Sequence, residues 1–192
     1  MHTTSTTTLY ASKTHKAFTF DTKLLKEKLP FLKKLLTETP EPLPEQTTFD
    51  DTPADEASMA LLQHWVSGSK PLQGPADFHT IGHYLGLYAL ARKFQSEPLQ
   101  NLVMDLMRAH YAAKDLTAPP YRIEYIHAYA DGSPMQGFLL ATAAHRCMQG
   151  KERPTVSDSM YSVLQNGSLM REFIEYLVHN NDVDTRHGSK CA

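Results

Sequence analysis

Cysteine is scarce in this 192-residue chain: Cys147 lies in an apolar helical segment and Cys191 is next to the end. A disulfide scaffold is therefore not indicated, and a reducing compartment is the expectation. Long apolar runs are missing too. No window reaches the length that a membrane-spanning helix needs. The opening MHTTSTTTLY has no apolar signal core, so the sequon Asn166-Gly167-Ser168 reads as a chance match and the expected location is cytoplasmic and/or nuclear. Neither sign of charge dominates. Nineteen Lys and Arg against 21 Asp and Glu leave a net charge of −2, which argues against nucleic acid or an acidic membrane as partner. Lys23, Lys26, Lys28, Lys33 and Lys34 do cluster, but Glu27 and Glu38 dilute them and no aromatic platform accompanies them. They read as a solvated helix face. The chain has no glycine-rich phosphate loop and no internal repeat. Gly132-Ser133-Pro134 has neither the spacing nor the preceding strand of a nucleophile elbow.

What is present centres on residues 79–112. From His79 to Phe94 the apolar residues Ile81, Tyr84, Leu85, Leu87, Tyr88, Leu90, Ala91 and Phe94 cover more than one helical face, which predicts a helix buried on most sides. Gln95-Ser96-Glu97-Pro98 then breaks the pattern, with Ser96 able to cap and Pro98 suited to a first turn. A second helix carries a stripe at Leu99, Leu102, Val103, Leu106, Met107 and His110. A turn this short predicts that the two helices pack on each other as the core.

Upstream, Thr7–Ser12 and Lys16–Phe20 are predicted strands, with Phe18 and Phe20 alternating as a half-buried strand requires. Asp21 or Thr22 caps a helix that Pro30 must end, since proline breaks an interior bond ladder, and a new helix starts there. Thr39–Gln46, with three prolines, is an extended exposed loop, and Thr47–Phe49 is a candidate third strand. Thr52-Pro53-Ala54-Asp55 opens a helix, with Thr52 bonding the backbone at Asp55, and Gly68 stops it. Tyr121–Tyr129, Met135–Met148 and Ser157–Val178 are further helices, the last dented at Asn166-Gly167 and followed by a polar, frayed tail from Asn180. Early strands followed by helices predict an α+β fold, a small three-stranded sheet against a mainly helical body.

Leu87-Tyr88-Ala89-Leu90-Ala91-Arg92-Lys93-Phe94 with Leu99-Gln100-Asn101 resembles the L-Y-x-L-A-x-K-F … L-x-N signature of BTB/POZ domains, in particular those of fungal BTB-domain proteins. Phe18-Thr19-Phe20-Asp21-Thr22-Lys23-Leu24-Leu25 and Leu29-Pro30-Phe31-Leu32 resemble the family's F-x-V-H-K-x-L-L-x-x-x-S-P-F-F segment. Asp51-Thr52-Pro53, Leu61-Leu62-Gln63 and Gly68 resemble its D-x-P … L-L-x-W-L-Y-x-G segment, and Ile123-Glu124-Tyr125-Ile126 with Gly132-Ser133-Pro134-Met135 its I-x-Y-V-Y … G-S-P-L-R stretch. The likeness covers roughly residues 9–150. It departs at Asp21 and Thr22, where the family has His-Lys, and at Leu29, where it has Ser.

The resemblance implies a BTB/POZ-like core at 9–113 behind a flexible 1–8, a C-terminal helical extension at 114–180 and a flexible tail at 181–192. It implies a non-catalytic protein–protein interaction module: an adaptor or scaffold, docked on a cullin of a ubiquitin ligase, self-associating, or serving as a structural subunit of another complex. The residues ahead of the first strand are few, which sets an elongin-C-like monomeric core beside the exchanged dimer of other members. For cullin docking the family uses a hydrophobic-x-Glu motif; the strict register puts Leu35-Leu36-Thr37 there, without the acid, and a one-residue shift gives Leu36-Thr37-Glu38, which fits. Leu35, Leu36, Glu38 and Leu43 are thus the expected partner-binding residues, around a Pro40–Pro44 loop that proline pre-stiffens. No cofactor is implied. The alternative from another class is a metal-dependent enzyme at His79 and His83, whose spacing lets two imidazoles share an ion, with His64, His110 or Cys147 as third ligand. Thr80 stands where a zincin needs glutamate, so that pattern supplies no general base.

Overall fold

The structure, a computed structural model, describes residues 5–12, 14–38, 55–148 and 156–187, with side chains described as far as Val178. The chain divides into two compact units, Met1–Ala113 and Lys114–Ala192.

The first unit begins with an antiparallel hairpin of β1 (Thr6–Tyr10) and β2 (Ala17–Asp21), in which Thr7 faces Phe20 and Leu9 faces Phe18. These four residues are buried, because the two-residue period of a strand sends them to one face. Among the described residues the sheet has these two strands, one fewer than expected; Thr47–Phe49 lies outside the described residues. The α+β class holds.

Helix α1 (Thr22–Lys28) starts where the Asp21 carboxylate accepts the N–H groups of Lys23 and Leu24 at 2.8 and 3.0 Å. Pro30 opens α2 (Pro30–Glu38), a position where its missing N–H costs no helical bond. Helix α3 (Glu56–Ser67) is capped by Asp55, which accepts the Ser58 N–H at 2.6 Å; Thr52, expected to bond the backbone at Asp55, lies outside the described residues. It ends at Gly68, whose φ of 65° is the left-handed conformation that glycine adopts without strain. Lys28 completes that end. Its ammonium donates to the carbonyls of Trp65 and Val66, both at 2.9 Å, and stands 5.1 Å from the centre of the Trp65 ring. A cation on a helix C-terminus complements the exposed carbonyl dipoles.

Helix α4 (Thr80–Lys93) is buried on most sides, including Leu85, Leu87, Tyr88, Leu90 and Ala91. It packs along α3, which lies on β2 and α1. The expected core pair, α4 with α5 (Glu97–Lys114), is therefore not the main packing; α3 is α4's companion. The reason lies in the connection. Gln95 takes a φ of 57°, its N–H meets the Arg92 carbonyl and the Ser96 N–H meets that of Ala91, a Schellman ending without glycine. The Ser96 hydroxyl donates to the Lys28 carbonyl at 3.1 Å instead of serving α5 as cap. At the same junction the Phe31 N–H donates to the Phe94 carbonyl at 3.3 Å, and the two rings stack with centroids 6.4 Å apart.

The second unit is helical: α6 (Pro120–Ala130), α7 (Pro134–Met148), α8 (Asp158–Leu164) and α9 (Gly167–His187). Helix α7 packs between α6 and α9, and α8 touches the same two. The single helix expected over Ser157–Val178 is two, because Asn166 turns the chain: its side-chain oxygen accepts the N–H and hydroxyl of Ser168 at 3.2 and 2.8 Å, capping α9. Helix α9 also runs to His187, past Asn180, where the sequence predicted a frayed tail and a boundary.

Candidate interaction surface

The partner-binding residues expected on α2 separate in the structure. Leu36 is buried at 6% exposure, so helical spacing has turned it into the core and it offers no anchor to a partner. Leu35 is half-buried and Glu38 is exposed; Leu43 lies outside the described residues. A shallow cleft of about 270 Å³ on this helix is lined by Pro30, Lys33, Lys34, Thr37 and Glu38. The signature residues Leu87, Tyr88, Leu90, Ala91, Phe94 and Leu99 are all buried, whereas Asn101 is exposed.

The better formed concavity of the first unit lies between α3, the loop before α4 and the first turns of α4. About 390 Å³ in volume, it is lined by Ala57, Ala60, Leu61, Gly74, Ala76, Thr80, His83 and Tyr84. Small side chains on α3 leave the space, and a tightly bonded loop keeps it open. Thr80 accepts the N–H groups of Ala76 and Asp77 at 3.0 Å, and Asp77 accepts the Thr80 N–H at 2.8 Å. That bond is the main reason the Asp77 carboxyl sits below its usual range. Gly74 has a φ of 83°, and a methyl there would come within 3.4 Å of Leu106. Burial pushes the Tyr84 hydroxyl upward, partly offset by a hydrogen bond from the Gly74 backbone. On the rim, His83 Nδ1 stands 3.8 Å from the Asp55 carboxylate. Phe78, two residues beyond Ala76, is 49% exposed. Among the described residues it is the exposed large apolar side chain of the first unit. Sequence reasoning passed over this site, where residues 69–78 offer Pro71, Gly74 and Pro75 as loop signals and no motif. The available signal was the pairing of Ala57 and Ala60 with Gly74 and Ala76, small residues on two facing segments.

His79 precedes α4 without a side-chain capping bond and is exposed, and His83 faces Asp55. Among the described residues no group of three or more His, Cys, Asp or Glu side chains is placed to hold a metal ion. Cys147 is half-buried, which pushes its thiol upward, away from the reactive thiolate.

The second unit has its own cleft, about 570 Å³, lined by Gly132, Ser133, Pro134, Gly137, Glu172, Glu175 and Tyr176. Beneath it the wholly buried Gln136 donates to both oxygens of Glu172 at 3.1 Å and accepts the Gly132 N–H at 3.3 Å. Burial, then Glu172 and Glu175, push the Tyr176 hydroxyl upward.

Comparison with protein-family models, with curated proteins and with solved structures returned no match. Among the described residues, no helix is long and apolar enough to cross a membrane.

Proposed function

We propose that this chain is a non-catalytic protein–protein interaction module, an adaptor or scaffold whose first unit is organised like a BTB/POZ domain. The observation that carries the reading is the junction at Phe31 and Phe94. Leu29-Pro30-Phe31-Leu32 and Leu87–Phe94 are two of the segments that resemble the family, and they are far apart in sequence. Here they join through the Phe31–Phe94 backbone bond, the stacked rings and the Ser96–Lys28 bond. Segments that resemble one family and also serve each other in one core support a shared organisation. The apolar cavity with Phe78 at its edge supports adhesion as the task.

Cullin docking is one branch of this reading. With Leu36 in the core, it rests on Leu35 and Glu38. Purified cullin scaffold should be retained by the wild type and lost with Leu35→Ala/Glu38→Lys; a wild type that retains none removes this branch alone. The wider reading is tested by tagging the chain in its native cell and measuring co-purifying proteins together with oligomeric state. A defined, stoichiometric partner or a defined oligomer is expected, and a chain recovered alone and monomeric overturns it.

A further inference from the structure

We propose that the cavity between α3 and α4 receives one apolar side chain from a basic segment of a partner protein: an anchor the size of leucine, methionine or phenylalanine, flanked by lysine or arginine. This deepens the interaction-module reading and rests on it, adding the chemistry of the partner.

The interior of the cavity selects an apolar occupant. Ala57, Ala60, Leu61, Gly74 and Ala76 bring no polar side-chain atom to it. Both hydroxyls among the lining residues are already engaged. That of Thr80 accepts the N–H groups of Ala76 and Asp77 and donates to the Asp77 carbonyl at 2.9 Å, and that of Tyr84 meets the Gly74 backbone. A polar group placed inside would lose water and gain no partner. Size narrows the choice further. About 390 Å³ lies at the low end of the roughly 300–1,000 Å³ of ligand sites, which suits one side chain better than a cofactor. The Thr80 bonds also hold the loop wall in place in advance, so little ordering is left for binding.

The rim selects positive charge. Two carboxylates are fastened to lining residues, one on the loop and one at the start of α3. Asp77 accepts the Thr80 N–H at 2.8 Å. Asp55 gives one oxygen to the Ser58 N–H at 2.6 Å and turns the other toward His83, 3.8 Å from Nδ1. Among the described residues neither carboxylate is paired with a lysine or arginine. Glu56, next to Asp55, already takes Lys16 at 2.7 Å. A lysine or arginine beside the anchor therefore finds an acidic group at the rim, whereas an acidic or phosphorylated segment is repelled. The anchor supplies most of the affinity, and the rim supplies the choice of partner.

The test uses the full chain and three short synthetic peptides: one with a leucine between arginines, one with glutamates for the arginines, and one with alanine for the leucine. The arginine–leucine peptide should bind on the order of 50-fold more tightly than its alanine version and on the order of 10-fold more tightly than its glutamate version. It should shift the amide resonances of Ala76, Thr80 and Tyr84. Asp55→Asn/Asp77→Asn removes both charges and keeps both caps, since asparagine also caps a helix. That variant should bind the arginine–leucine peptide about 10-fold more weakly and with less dependence on salt. Ala60→Phe, which fills the cavity, should abolish binding, with circular dichroism unchanged in both variants. Failure of the arginine–leucine peptide to bind the wild type overturns the inference. So does equal binding of the arginine and glutamate peptides, or binding that survives in the folded variants. If the peptides fail while a stoichiometric partner still co-purifies from the native cell, the interaction-module reading stands and only this partner chemistry falls.

Discussion

The two units are held by different kinds of bond. In the first, several polar contacts finish helices: Asp21 on α1, Asp55 and Lys28 at the ends of α3, Asp77 and Thr80 before α4. In the second, polar side chains cross between helices. Gln136 on α7 grips Glu172 on α9. His127 on α6 stands 2.9 Å from Asp131 through Nδ1 and 2.7 Å from the Asn166 amide through Nε2. The lesson is that the first unit's helix ends are finished by side chains, whereas the second holds the buried Gln136 through a carboxylate on another helix. A satisfied polar network fixes one arrangement, but removing one member leaves its partner stranded.

The contrast can be broken most forcefully in the apolar interior. Leu87→Ala, at a wholly buried position, should destabilise the first unit by about 2–5 kcal/mol, read as lost hydrogen-exchange protection in α3 and α4. Gln136→Leu should cost about 2–3 kcal/mol and loosen α7 and α9, because it strands the half-buried Glu172 carboxylate; Gln136→Leu/Glu172→Leu should recover part of the loss. Lys28→Met keeps the aliphatic stem but loses two carbonyl bonds, so about 1–2 kcal/mol of stability should vanish from the end of α3 in a denaturant titration. A gain is expected at Gln95→Gly, about 0.5–1 kcal/mol in the same titration, since glycine adopts a φ of 57° without strain.

Acid should separate the units further. The depressed carboxyls of Asp77 and Glu56, held by the Thr80 N–H and by Lys16, both belong to the first unit. A depressed carboxyl contributes stability above its unfolded pKa of about 4 and loses it as pH falls through the folded value. Protection around α3 and the start of α4 should therefore drop below about pH 4, and Asp77→Asn should flatten that drop. In alkali both units weaken: the raised hydroxyls of Tyr84 and Tyr176 contribute below about pH 10 and lose their share as pH rises through the folded values.

Local chemistry was legible in the chain, and companionship was not. Pro30 and Gly68 mark a helix start and stop because a missing N–H and a left-handed φ constrain one residue at a time. The break at Asp131-Gly132 before α7 was visible on the same ground. Periodicity showed that α4 is buried but could not say against what; it named α5, the nearest in sequence, where the structure has α3. The ending at Gln95 carries no glycine to announce it. Leu36 illustrates the limit at the candidate site, since a motif reads a leucine the same way whether it faces a partner or the core. The cavity escaped notice because it is made by what Ala57, Ala60 and Gly74 lack.

Asn166 carries a consequence for how this molecule ages. An asparagine followed by glycine ordinarily sheds ammonia with ease, because the next backbone nitrogen can attack its amide carbon. Here the amide is tethered at both ends, its nitrogen to His127 and its oxygen to Ser168, and it caps a helix. The attack must wait until the α8–α9 turn opens. Slow build-up of a more acidic form in stored protein therefore counts those openings, a clock built into the second unit.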